Sequence, residues 1–237
     1  MLKLDDVNVP KCICCKEPVT WSNMGTADDW LEFEISKTCG VCFDNILVSE
    51  LQNGDVEDFF VVENLNFLFK NPDVMVGGGV FRHLVDPTDK ICDIDVFFKS
   101  LNKLQDTKDV LTNEGFVEVF ACPKGELFTY KNEVGFKIQL ITKFIYPDID
   151  TLIGSFDITA CCAAYDGKNF VAHRRFVFDV LNKRINLNAI TYPVATLNRI
   201  TKYVQKGYTL TPDANLKFIE YVNSVVLDED NMVYYVD

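Results

Sequence analysis

Apolar and polar positions change rhythm several times along the chain, and each change predicts an element. Asp55 to Phe69 (DVEDFFVVENLNFLF) reads as one helix, with Asp55 as its N-cap and Phe59, Phe60, Val62, Leu65 and Phe69 as its apolar positions. Val74-Met75-Val76 predicts a short strand, Phe81 to Val85 a helix, and the apolar run around Ile94, Val96, Phe97 and Phe98 a second strand. Leu101 to Asn113 reads as a helix. Phe116 to Cys122, Glu126 to Tyr130 and Phe136 to Thr142 read as strands, with Gly125 and Gly135 at the breaks. Asp148 to Ile153 predicts a short helix, Phe156 to Gly167 a strand ending in a turn, Phe176 to Lys183 a helix and Arg184 to Asn188 a brief extended piece. Pro193 to Lys206 is a helix with proline at its start and Gly207 at its end, and Asp213 to Leu227 is the last helix. Helices and strands in this order predict an α+β fold, a small mixed sheet with flanking helices.

Within that pattern, Val76 to Phe98 (VGGGVFRHLVDPTDKICDIDVFF) carries the candidate chemistry. Asp93 and Asp95 interrupt an apolar strand, where a charge costs free energy unless it is solvated, paired or metal-bound. Side chains alternate along a strand, so the two carboxylates share a face about 6–7 Å apart and can share a hard cation. Gly78 and Gly79, before a helix start, let a phosphate approach bare backbone. Glycine turn, helix start and paired aspartates together suit a nucleoside triphosphate with Mg²⁺.

Composition narrows the setting. The chain has 237 residues, 48% of them hydrophobic, so it can bury a real core. No apolar run approaches the roughly 20 residues that span a bilayer, and the N-terminal stretch lacks an apolar signal region, so the expectation is a soluble cytoplasmic protein with no membrane partner. The net charge of −12 argues against nonspecific nucleic-acid binding by the whole surface. The charge is uneven: residues 1–60 hold twelve acidic and four basic residues, a balance of −8, whereas residues 161–210 hold eight basic and two acidic, a balance of +6. The basic part is compatible with a phosphate or RNA site and equally with ordinary solvated faces.

Nine cysteines in such a chain suggest thiols or metal ligands rather than disulfides. Cys12 and Cys15, then Cys39 and Cys42, form two Cys-x-x-Cys pairs separated by 23 residues, a spacing that suits tetrahedral Zn²⁺ in a ribbon. Cys14 is the bystander of this set, although Cys12 and Cys14 could trade places. Trp30 to Ile35 alternates as a strand would inside the ribbon. The acidic surroundings favour a protein partner, or bracing of the next domain, over nucleic acid.

Three motifs in order then resemble the head and neck of the bacterial tRNA nucleotidyltransferase and poly(A) polymerase family, within the DNA polymerase β-like nucleotidyltransferase superfamily. Gly78-Gly79-Val80-Phe81-Arg82-His83-Leu84 resembles Gly-Gly-x-Val-Arg-Asp-Leu, and Asp93-Ile94-Asp95 follows as the catalytic pair. Asp157-Ile158-Thr159 through Ala164-Tyr165-Asp166 resembles the Arg-Arg-Asp-Phe-Thr-x-Asn-Ala-x-Ala-Tyr-Asp strand. Pro193 to Leu210 resembles the Pro-Leu-Arg-x-Leu-Arg-x-x-Arg helix with its Gly-Phe-x-Leu ending. The resemblance covers about residues 74–213; taken with the cysteine spacing, the expectation is a zinc-ribbon-like module at 1–50, a nucleotidyltransferase core at 51–188, and a helical neck with a tail at 189–237. It departs from the family at His83, at Ser155 and Phe156, and at Ala195, Asn198 and Thr201, where the family carries an aspartate and arginines that help hold the nucleotide and choose its base. A shortened, viral relative acting in a host cytoplasm is the expectation, without the body and tail that grip tRNA.

The resemblance implies transfer of a nucleotide from an NTP (ATP or CTP) to an RNA 3′ end or related acceptor. Two Mg²⁺ would sit on Asp93 and Asp95. Asp157 would face the ribose or complete the metal site, and Gly78, Gly79, Arg82, Arg199 and Lys202 would hold the nucleotide. The alternatives are transfer to a protein or small molecule, and a non-catalytic, zinc-bearing binding protein on this scaffold. The ribbon is testable alone: the purified chain should carry about one Zn²⁺ by elemental analysis, and chelation should remove part of its circular dichroism. A metal-free chain indifferent to chelator overturns the assignment.

Overall fold

The computed structural model describes residues 54–62 and 64–224. Cys12, Cys15, Cys39 and Cys42, the strand expected at Trp30 to Ile35 and the C-terminal tail lie outside the described residues.

Two apolar strands lie at the middle of a seven-stranded sheet. β1 (Val74–Gly77) and β2 (Ile94–Phe98) pair antiparallel. β3 (Val117–Ala121), β4 (Leu127–Lys131) and β5 (Lys137–Ile145) form a meander whose last strand runs parallel to β2. β6 (Ala163–Tyr165) and β7 (Phe170–Ala172) extend the other side, giving the order β3-β4-β5-β2-β1-β6-β7. β1 and β2 read as nearly continuous apolar runs because both faces are covered. Val74, Val76, Ile94, Val96 and Phe98 join the larger core with Phe60 and Phe81. Met75 and Phe97 face a smaller cluster made with Leu152, Ile153 and Ala164.

The expected first helix breaks in two. α1 (Gly54–Val62) stops, and a 3₁₀ turn follows at Asn66–Lys70. Asn64 takes a left-handed φ of 58°, and the Leu65 amide donates back to the Phe60 carbonyl at 2.7 Å, the 6→1 bond of a Schellman ending. Downstream of β1, a 3₁₀ turn (Gly79–Phe81) runs straight into α2 (Arg82–Val85). α3 (Leu104–Asn113) begins three residues later than Leu101, and α4 (Ile149–Ser155) is capped by Asp148, whose carboxylate accepts from the Thr151 amide at 2.8 Å.

Of the twelve residues expected as a strand from Phe156 to Gly167, three form one. Ile158 makes a single antiparallel bridge to Leu187, Thr159–Cys161 is a 3₁₀ turn, and only Ala163–Tyr165 is paired as β6. A polar demand explains the turn. Asp179, on α5 (Phe176–Leu181) and wholly buried, accepts from the Thr159 hydroxyl and, at 2.8 Å, from the Asn186 amide. Asn186 accepts in turn from the Thr211 hydroxyl at 2.7 Å. This knot joins the turn to α5 and to the two-stranded parallel pair β8 (Arg184–Ile185) and β9 (Thr209–Leu210). α6 (Pro193–Gln205) and α7 (Pro212–Ser224) complete the C-terminal part, with Gly207 at φ +87° after α6. Among the described residues, no helix is long and apolar enough to cross a membrane.

Burial pushes the Asp179 carboxyl up to about 6, against its hydrogen bonds, which pull the other way. A raised carboxyl favours the fold in its protonated form, so its contribution is whole below pH about 4 and fades as pH rises through about 6. Relative to Asp179→Asn, wild-type stability should fall between pH 4 and 7 by on the order of 2–3 kcal/mol, read from urea unfolding at each pH. Parallel curves for the two proteins would refute it.

Candidate functional site

Antiparallel register places Gly77 directly across from Asp95. Gly78 follows at φ +90° and ψ −143°, a region essentially confined to glycine, and a Cβ there would lie 3.4 Å from the Asp95 carboxylate. Turn and carboxylate therefore share one spot at the end of the central strand pair. Asp93 precedes β2, half-buried, two residues before Asp95. The Gly78 amide is spent on the Ala163 carbonyl at 2.9 Å, so what this residue supplies is absence of bulk.

One wall of this spot is apolar. A Cβ on Gly77 would come within 2.9 Å of the Phe156 ring, and that ring stacks edge-on against Phe97 at 5.6 Å. Phe156 is one of the positions where the family that the three motifs resemble carries arginine; here an aromatic ring covers the strand next to the carboxylate.

Arg82 points inward. Its side chain is 6% exposed and folds under the glycine turn, where a Cβ on Gly79 would collide with the guanidinium at 2.6 Å. Nε donates to Asp89 at 2.6 Å, and the same guanidinium donates to the Tyr203 hydroxyl and to Cys161 Sγ at 3.4 Å. These partners hold Arg82 protonated even more firmly than usual despite its burial. The residue thus braces the turn against α6 instead of presenting a surface cation. His83 stays close by, its Nδ1 against the Asp89 carbonyl at 2.9 Å.

Asp157 and Arg199 are brought together. Asp157 is buried and accepts from Arg199 at 2.7 Å and from the Thr196 hydroxyl at 2.9 Å, both on α6. The Arg199 side chain remains 38% exposed, and Lys202 is exposed on the same helix. Among the described residues no group of three metal-ligating side chains forms, so Asp157 does not join Asp93 and Asp95 in such a cluster. The sequence missed Tyr203 and Cys161 as supports of the turn. The signal was faint, a tyrosine and a cysteine in otherwise apolar surroundings.

The sequence model of the Gabija anti-defense 2 protein family matches residues 42–183. A curated relative, Gabija anti-defense 2 of Bacillus phage SPbetaL7, is 25% identical over 163 residues, which is 68% of this chain and 40% of the relative. Among solved structures, a CCA-adding enzyme in apo form I is 16% identical with a TM-score of 0.51, covering 69% of this chain and 42% of that one. A CCA-adding enzyme in complex with ATP is 15% identical with a TM-score of 0.51, covering 72% and 46%. The chain thus spans less than half the length of these relatives. The likeness to the solved structures establishes the fold, a nucleotidyltransferase-type mixed sheet with flanking helices.

Two substitutions probe the turn. Gly78→Ala should cost about 1–3 kcal/mol by strain in a glycine-only conformation. Arg82→Ala should cost about 3–5 kcal/mol by stranding Asp89, and removing Asp89 as well should recover part of that loss. Urea unfolding of the three variants decides it; an Arg82→Ala protein as stable as wild type would contradict the brace.

Proposed function

The chain belongs to the Gabija anti-defense 2 family, and from that premise we propose that it is a metal-dependent nucleotidyltransferase serving the anti-defence role in the family's name. One observation carries the reading: the register sets Asp95 across from Gly77, and its carboxylate lies directly against the glycine turn at Gly78. The nucleotidyltransferase fold supports it.

The donor set fits magnesium. Asp93 and Asp95 offer hard oxygens two residues apart at the start of β2, and Mg²⁺ is usually bound through one or two carboxylates, with substrate phosphates and water completing its shell. Bound there, magnesium would supply Lewis-acid activation of an acceptor hydroxyl and neutralise charge on the departing pyrophosphate. The remaining work belongs to the chain. Gly78 keeps side-chain bulk away from the Asp95 carboxylate, and Gly79 makes room for the Arg82 guanidinium beneath the turn. Arg82 fixes the turn from below. Asp157 aims Arg199 along α6, where Arg199 and Lys202 present cations to the nucleotide. Phe156 lays an apolar ring beside the candidate site, a surface suited to a sugar or base rather than a phosphate. In the reaction the acceptor oxygen bonds to the α-phosphorus, and the bond from that phosphorus to the pyrophosphate oxygen breaks.

The acceptor proposed is an RNA 3′ end or a related hydroxyl, with ATP or CTP as donor. The matched phage relative points to a host cytoplasm as the place of action. The zinc ribbon at Cys12, Cys15, Cys39 and Cys42 remains part of the proposal as a bracing or protein-binding module.

Incubation with each labelled NTP, Mg²⁺, a small-RNA pool and host protein tests this on one gel. Wild type should label an acceptor, whereas Asp93→Asn and Asp95→Asn should lose the label outright while keeping the wild-type Tm. Label in RNA supports the acceptor named here; label in protein moves the reading to another acceptor. Unchanged labelling by both variants would end the assignment of these carboxylates.

A further inference from the structure

A row of aromatic rings begins beside the carboxylate and leads away from it. Asp95 and Phe97 lie two residues apart in β2 and therefore face the same way. The Phe97 ring meets Phe156 at 5.6 Å between centroids and Tyr146 at 5.9 Å. Tyr146 in turn meets Phe144, near the end of β5, at 6.5 Å. Phe97 is buried, whereas Phe156, Tyr146 and Phe144 are partly exposed. The row thus joins the place of the transfer chemistry to open aromatic surface without a break.

Core packing accounts for the near end of the row but not for the far end. Phe156 and Tyr146 pack against the smaller core, while Phe144 belongs to neither of the two cores described above. Phe144 is nonetheless held. Tyr192, the residue before α6, lies 6.0 Å away with its plane only 31° from that of Phe144, and the Lys143 ammonium lies 5.4 Å from the Phe144 centroid. A ring fixed by its neighbours and still partly open to water is a ready face for a flat partner, because its ordering is already complete. The charges of the same segment do not make it a phosphate groove: Lys143 is followed by Asp148 and Asp150, both exposed. Stacking, rather than attraction of a charged backbone, is what this surface offers.

We propose that Phe144 and Tyr146 stack the bases of the acceptor, which is therefore a single-stranded nucleic acid that reaches Asp95 along the aromatic row. Phe156 takes the base or sugar nearest the carboxylate. The inference rests on the transfer reading for why a strand comes to this face, and it adds how the strand is gripped. Every base has a π-face, so a grip of this kind tolerates any sequence.

The test is binding without turnover, on the full chain in Mg²⁺-free buffer containing chelator. The probe is a short fluorescein-labelled single-stranded RNA with a free 3′ hydroxyl, followed by anisotropy; its counterpart is a strand of the same length and charge whose terminal nucleotides are abasic. Wild type should prefer the intact strand. Phe144→Ala should keep the wild-type Tm and bind the intact strand about 10-fold more weakly, with the abasic strand unaffected. Phe144→Leu keeps apolar bulk without a π-face and should bind as poorly as Phe144→Ala, whereas Phe144→Trp should restore affinity. The ratio of wild type to Phe144→Ala should hold as salt is raised, since the lost contact is not ionic. The proposal falls if the abasic strand binds as well as the intact one, or if Phe144→Leu binds as wild type does, which would fit an apolar protein partner instead. The two readings fail separately: a wild-type chain that labels no acceptor, yet loses base-dependent affinity with Phe144→Ala, would end the transfer reading and keep this one.

Discussion

A guanidinium buried under a glycine turn is the constraint on which the site depends. Arg82 cannot be taken out of water without partners, and it finds them in three different parts of the chain: Asp89 just after its own helix, Cys161 in the turn before β6, and Tyr203 in α6. Satisfying one charge therefore pulls the glycine turn, the middle of the chain and the C-terminal helices onto one point. Gly79 must be glycine for a plain steric reason, since the guanidinium occupies the space a side chain would need. With the turn held from below, Gly78 can keep its unusual conformation beside Asp95.

Much of this was legible in the residues because it rests on local pattern. The apolar runs of β1 and β2 mark the centre of the sheet, and the glycines and two aspartates beside them mark the candidate site. What escaped has physical reasons. β7 and β9 are three and two residues long, too short for any periodicity to stand out. The break after α1 turns on one left-handed asparagine within an apolar run that otherwise continues. The inward turn of Arg82 depends on partners 79 and 121 residues away, and no local pattern encodes those.

The departures from the related family acquire positions as well. Phe156 lies against Gly77 and Phe97 and makes one wall of the site apolar. Ala195 is buried in α6, packed where a long cation would have no room, while Asn198 and Thr201 face solvent on the same helix. The Asp157–Arg199 pair survives among these changes and still ties α6 to the segment before the 3₁₀ turn. The helix thus keeps its anchor and loses the neighbouring cations, which concentrates any charge it offers on Arg199 and Lys202.

The reach of the Arg82 contacts also sets an order of assembly. Bringing residues 121 apart together is a large loop closure, and its entropic cost is met only when both ends can contribute contacts. A chain emerging from the ribosome at about 5–20 residues per second can pair β1 with β2 early, yet for several seconds it has no Tyr203 to place against the guanidinium. The carboxylate and the glycines exist before the floor beneath them does. The growing chain therefore lacks this support for the turn until α6 has been made, and the brace is completed from the C-terminal side.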